Sequence, residues 1–258
     1  MKRTFQLTFC LLTVMLIIAF EVPKPTLFII GDSTVKNGSG SAGNLLQGWG
    51  SFLGSYFDTS RISVENDAIG GRSSRSFIYE GRWAKVLSHL KNGDYVLMQF
   101  GHNDSGPLDD TARARGSLKG IGEESKDIFN PKIQKQETVH TYGWYIRKYI
   151  QDARSKGATP IVCSPIPRND WKDGKVLRSN DSYALWARQV AVEERVPFID
   201  LNNVIGDAFE KVGKDKVATF FPKEHTHTNE EGARFNANIV AAQISQLNDC
   251  NLKTYLLK

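Results

Sequence analysis

Ser33, Glu224 and His227 are the residues whose types and spacing could assemble an acyl-transfer centre. A serine hydroxyl is a weak nucleophile until a neighbouring base takes its proton, and an imidazole base works best when an acid fixes its tautomer. Ser33 follows the apolar run Leu27–Ile30, which stops abruptly at Gly31-Asp32-Ser33-Thr34. His227 lies in Glu224-His225-Thr226-His227, with Glu224 near enough on a turn to reach the far ring nitrogen. Attack on a carbonyl also creates an oxyanion that needs donors. The candidates are the backbone N–H groups of Ser33 and Gly71 and the side-chain amide of Asn103. Glycine allows close backbone approach, and asparagine offers an NH₂ without charge. Singly, each residue has a plainer reading: a Gly-Asp-Ser turn or helix cap, a turn glycine, a strand-end asparagine, a histidine at a helix start. Their occurrence together, in order after successive strands, is what makes the set specific.

The elements that must hold these residues can be read from periodicity. Apolar runs at 27–30, 61–69, 95–100, 159–164 and 196–201 predict five strands, the third apolar except for Gln99. Helical spacing appears over 49–57, 77–90, 138–154, 181–194, 204–212 and from 229 to 247. Strands alternating with helices, with no repeat between them, predict one α/β domain with a parallel sheet covered on both faces. Only five βα units are legible, so an open three-layer α/β/α sandwich is expected and not a barrel. In such a sheet the blocks at Ser33, Gly71 and Asn103 share the rim at the carboxyl ends of the strands. Residues 104–136 lack periodicity and are expected to form an irregular functional insertion.

Lys2 and Arg3 precede an apolar stretch from Phe5 to Phe20, the pattern of an export leader. Residues 1–22 are expected to be removed, leaving 23–258 as a single hydrolase domain, secreted or periplasmic, with no stable membrane association. Of three cysteines, Cys163 and Cys250 would remain. Cys163 reads as a buried core thiol, and a bridge between the two is neither demanded nor excluded. The 258 residues, 40% hydrophobic, are ample for one core, and a net charge of +5 is mildly basic. No Lys/Arg tract with interleaved aromatics is present, so no nucleic-acid partner is expected.

These motifs resemble the SGNH (GDSL-type) hydrolases: Gly31-Asp32-Ser33-Thr34, Asn66-Asp67-Ala68 with Gly71, Gly101-His102-Asn103-Asp104, and the terminal acid-x-x-His. A closer resemblance, to rhamnogalacturonan acetylesterases, is carried by Asn66–Ser73, Gly106–Leu108, Ser164–Asn169 and His225–Thr228, and extends over nearly all of the chain after the leader. It implies a flavodoxin-like SGNH fold, no metal or other cofactor, and removal of acetyl groups from pectic polysaccharide. Ser33, Gly71, Asn103 and His227 would be the four name-giving residues. One departure is Glu224, where the family usually has aspartate. The extra methylene must be repacked toward His227, since a displacement of about 1 Å can lower a rate on the order of a hundredfold.

Around the centre, Arg72, Arg168, Trp171 and His225 are the candidate substrate-binding residues, with Arg75, Arg113, Arg115 and Lys119 further candidates for a cleft that attracts uronate carboxylates. Trp49 could stack on a sugar, but its helical spacing suits a core position. A metal reading of Glu224, His225 and His227 has residue type in its favour. Against it, residues two apart do not share a helical face, and no further ligand cluster is legible. The leading expectation is a carbohydrate esterase acting on an acetylated, acidic polysaccharide. The alternatives are an esterase for acetylated xylan, lipid or aryl esters, and a catalytically silent carbohydrate-binding relative.

Overall fold

The computed structural model describes residues 24–38 and 45–257; the expected leader, residues 1–22, lies outside them. Five strands, β1 (Thr26–Gly31), β2 (Ser63–Asn66), β3 (Tyr95–Gln99), β6 (Thr159–Cys163) and β9 (Phe198–Ile199), form an all-parallel sheet in the order β2-β1-β3-β6-β9. Alternation along each strand explains the layers, because successive side chains face opposite ways. Leu27 and Ile29 of β1, Tyr95 and Leu97 of β3, and Ile161 and Cys163 of β6 enter one core cluster. Phe28, Ile30, Val96, Met98 and Val162 enter the other. Helices α1 (Gly50–Leu53), α6 (Leu201–Val212), α7 (Lys214–Ala218) and α8 (Glu230–Ser245) cover the first face. Helices α2 (Ser76–Tyr79), α3 (Arg82–His89), α4 (Tyr142–Ser155) and α5 (Tyr183–Glu193) cover the second. Strands apolar on both faces are what a sandwich of this kind requires, and each buried Leu, Ile or Phe adds about 1.5–3 kcal/mol of burial free energy. Cys163 and Cys250 carry free thiols in the first cluster.

Several expected boundaries are corrected. β2 ends at Asn66, whose side chain accepts from Ala68 N and donates to Val35 O, turning the chain where a longer strand was expected. The helix expected over 77–90 is two helices, parted at Gly81 with φ +73°. The insertion 104–136 is not irregular throughout. Its second half enters an antiparallel hairpin of β4 (Ser125–Asn130) and β5 (Lys135–His140), so α4 starts at Tyr142, with Thr141 capping Trp144 N. A second small hairpin, β7 (Trp171–Lys172) and β8 (Lys175–Val176), turns through Asp173-Gly174 at φ +49° and +76°. Asp-Gly is a favoured pair for such a turn. Strand β9 has only two residues because Asp200 caps α6, accepting from Asn203 N.

Arg75 ties the β4–β5 hairpin to the sheet. Its guanidinium, fully buried, makes two parallel bonds to Glu137 of β5, 2.8 and 2.7 Å, and donates to the carbonyls of Leu108 and Gly116. Asn130 Nδ2 donates to the same carboxylate. Arg75 therefore lines no cleft, contrary to expectation.

Candidate active site

After β1 the chain enters β2 on one side of the sheet and then crosses to β3 on the other. The crevice beyond β1 and β3 is thus the topological switch point, where open α/β sheets bind ligands. Ser33 follows β1 and Asn103 follows β3. The turn that presents Ser33 is held from below by polar groups buried among apolar ones. Asp32, fully buried, accepts from Thr34 N at 2.9 Å, from Thr34 Oγ1 at 2.8 Å, and faces His102 Nδ1 at 3.1 Å. Thr34 Oγ1 accepts from Gln99 Nε2, and Gln99 Oε1 accepts from Trp49 Nε1. Gln99, the polar exception in an apolar strand, is thereby accounted for: a buried amide is tolerated where its groups are paired. Burial pushes the Asp32 carboxyl up, but His102 and the Thr34 donors more than offset this and hold it below its ordinary value.

His227 arrives from the far end of the chain, two residues before the Asn229 cap of α8. Its Nε2 lies 2.7 Å from Ser33 Oγ, and its Nδ1 lies 2.5 Å from Glu224 Oε1. Glu224 curls over its own turn, accepting also from His227 N and Thr226 N, each at 2.8 Å. The longer glutamate side chain is accommodated by this local turn. Burial raises the Glu224 carboxyl, yet the Thr226 and His227 donors outweigh it and hold the group below its ordinary value.

Gly71, at φ +77°, and Asn103 border the same cavity as Ser33 and His227. The left-handed backbone at Gly71 favours glycine, since a Cβ there would be strained. Asn103 Nδ2 donates one hydrogen to Arg72 O at 3.0 Å, which fixes the amide and leaves its second N–H. Among the described residues, the N–H groups of Ser33 and Gly71 donate to no protein acceptor. A hydroxyl on a base, with three donor-bearing residues bordering the same cavity, can carry acyl transfer through a tetrahedral oxyanion. Behind Asn103, Asp104 is fully buried and accepts from Ser74 N, Ser74 Oγ and Ser117 Oγ. Burial pushes its carboxyl up to about 7 against the pull of those donors.

The cavity of about 530 Å³ is cationic, with Arg72, Arg113, Arg115 and Lys132 in its walls against Glu80. Glu80 pairs with Arg72 at 3.0 Å. Burial, and next the like charge of Arg113, hold the Arg115 guanidinium below its ordinary value. Lys132 comes from the tip of the β4–β5 hairpin; it lies within the insertion expected to be functional, but nothing singled out this residue. Of the four substrate-binding candidates only Arg72 borders this cavity; Lys119 does not. Arg168 lines a separate cavity. Trp171 is half-buried against the first core cluster, with Nε1 donating to Asn169 Oδ1. His225 turns away, its Nδ1 2.7 Å from Asp170 Oδ1, so His225 and His227 serve different partners.

Comparison with known proteins gives this geometry its relatives. Residues 29–235 match the model of the GDSL-like lipase/acylhydrolase family. The chain is 34% identical to a rhamnogalacturonan acetylesterase of Emericella nidulans, over 81% of this chain and 80% of that protein. It is also 34% identical to the probable rhamnogalacturonan acetylesterase YesY of Bacillus subtilis, over 86% and 93%. Two solved structures share the fold. That of YxiM from Bacillus subtilis has a TM-score of 0.69 at 24% identity, over 86% of this chain and 56% of that one. That of an acetylxylan esterase from Geobacillus stearothermophilus has 0.56 at 18%, over 86% and 93%. With the family model spanning most of its length, the chain belongs to the GDSL-like lipase/acylhydrolase family and is a carboxylic ester hydrolase.

Proposed function

We propose that the protein is an exported acetylesterase that removes acetyl groups from an acidic pectic polysaccharide of the rhamnogalacturonan type, with Ser33, His227 and Glu224 as its triad. The observation that carries the reading is the unbroken Glu224–His227–Ser33 relay opening into a cleft walled by four cations. His227 Nε2 takes the Ser33 hydroxyl proton as Oγ attacks the acetyl carbonyl carbon. The oxyanion is held by the N–H groups of Ser33 and Gly71 and by the Asn103 amide. Collapse expels the sugar oxygen, which leaves with the proton from His227. Water then gives a proton to His227 and attacks the acetyl-Ser33 carbonyl, and acetate departs as Ser33 recovers its hydrogen. Glu224 stays ionised throughout, fixing the tautomer and stabilising the imidazolium. The cationic wall suits a uronate chain, because its four cations outnumber the single carboxylate of Glu80 and arginines attract and orient carboxylates.

Acetate release from acetylated rhamnogalacturonan, acetylated xylan and phenyl acetate, at low and high salt, tests the substrate. A preference for the first that weakens with salt is expected. Equal rates on both polysaccharides, insensitive to salt, would refute the acidic-substrate reading. Ser33→Ala should fold normally and lose roughly 10⁴–10⁶ in kcat; near-parental turnover would remove Ser33 from the mechanism. Export is tested by the N-terminal mass of the mature protein, which should lack residues 1–22 or a neighbouring length.

A further inference from the structure

A second cavity of about 320 Å³ opens beside the catalytic cleft. The loop Gly101–Ser105 is the wall between them: His102 and Ser105 border the second cavity, Asn103 the first. Three buried polar atoms with no protein partner among the described residues, Arg168 Nε, Ser179 Oγ and Tyr183 Oη, belong to side chains lining this one cavity. An unpaired buried donor is destabilising, and few occur in a whole domain. These atoms have almost no accessible surface, so an occupant meets them only as the side chains turn toward the cavity, and their concentration in one lining gives that lining its polar character.

The charges say which occupant. Arg168 and Arg178 line the cavity together with Asp170 and Asp181; Arg178 is held by Asp207 and Glu210 at 2.5 and 2.7 Å, and Asp170 lies against His225. Positive and negative groups therefore balance, unlike the cationic catalytic cleft. The lining residues include both donors and acceptors, and Pro165, Ile166 and Leu177 add apolar surface. A sugar ring offers this combination in return: hydroxyls that both donate and accept, and a C–H face for the apolar wall.

We propose that this cavity is a subsite for an uncharged pyranose of the polysaccharide chain, next to the cleft that takes the charged, acetylated unit. The assignment rests on the glycan reading of the catalytic site, and its test separates the two. Arg168 Nη2 also reaches His102 O at 3.4 Å, so the subsite abuts the loop that carries Asn103.

The test uses ¹⁵N-labelled Ser33→Ala protein titrated with methyl rhamnoside, methyl xyloside and sodium galacturonate. An uncharged glycoside should shift the amides of residues 101–105 and 177–183, and the added change Tyr183→Phe or Ser179→Ala should weaken that binding about three- to tenfold. Galacturonate shifting the same amides equally, or no sugar shifting them, overturns the subsite. In otherwise unmodified enzyme, each substitution should lower the ratio of kcat/KM on acetylated oligosaccharide to that on phenyl acetate by about three- to tenfold. An unchanged ratio in both variants, with the oligosaccharide still deacetylated, overturns the subsite and leaves the proposed function standing. Hydrolysis of phenyl acetate with none of the polysaccharide overturns the function instead, and the titration alone then decides the subsite.

Discussion

His102 joins two strand ends to a third: its Nδ1 lies 3.1 Å from Asp32 Oδ2 beyond β1, and its Nε2 lies 3.0 Å from the carbonyl oxygen of Ile166 beyond β6. A carbonyl can only accept, so the ring donates there through Nε2, while its other nitrogen faces the Asp32 carboxyl. The imidazole sits on the β3 loop and clamps the residue just before Ser33.

Asp32→Asn should therefore disturb both the position of Ser33 and stability. The Asp32 carboxyl is held below its ordinary value in the folded state. Its contribution is thus present above the unfolded pKa of about 3.9 and lost as pH falls through the folded value. The variant should melt below the parent at neutral pH, and the gap should close in strong acid. Thermal melts from pH 2 to 7 check this, and a constant gap would show that the charge is idle.

Glu224 holds three donors, so its substitutions separate charge from shape. Glu224→Gln keeps the length and removes the charge, and kcat should fall on the order of 10²–10⁴. Glu224→Asp keeps the charge and should remain within about tenfold, because the turn still offers the same donors. Steady-state rates on one acetyl ester decide. Parental activity in the glutamine variant would mean another carboxylate orients His227.

Asp104 makes the opposite pH prediction. Burial pushes its carboxyl up to about 7, above the unfolded value. The unfolded chain loses this proton near pH 4 and the folded protein only near 7, so stability falls as pH rises through that window. Asp104→Asn should flatten this slope while keeping an acceptor for Ser74. Denaturant midpoints at pH 4, 5.5, 7 and 8 measure it, and an unchanged slope would exclude Asp104 as its source.

Arg75→Met should destabilise by about 3–5 kcal/mol, because it takes the counter-charge from Glu137, which keeps only the Asn130 amide, and the donor from two carbonyls. Arg75→Met with Glu137→Leu should recover part of the loss, as apolar pairs often replace buried ion pairs without penalty. Chemical denaturation of both variants is the measurement. A loss under about 1 kcal/mol in the single variant would mean the hairpin is held by other contacts.

The sheet was legible because β1, β3 and β6 are apolar on both faces, and the reactive centre because Ser33, Gly71 and Asn103 stand at the ends of its early parallel strands. The β4–β5 hairpin was not, since Ser125–Asn130 buries only Ile128 and Asn130 and so shows no apolar alternation. Lys132 was not singled out, for the same reason: its place in the cleft depends on a hairpin tied to the sheet by Arg75 and Glu137, 62 positions apart. The arginines show the limit of residue type. Arg72 and Arg75, three apart, end respectively in the cleft and wholly inside the protein.

Ser33 and His227 are 194 positions apart, and α8, which begins just after His227, packs on α1, where the Arg234 guanidinium lies 3.9 Å from the Phe52 ring centre. A chain made at about 5–20 residues per second presents its hydroxyl first and its base many seconds later. In the proposed triad, any nascent fragment ending before His227 carries a serine without its base, so hydrolysis begins only after His227 has been made. Appearance of activity in a timed translation reaction thus clocks the docking of α8, with no label attached.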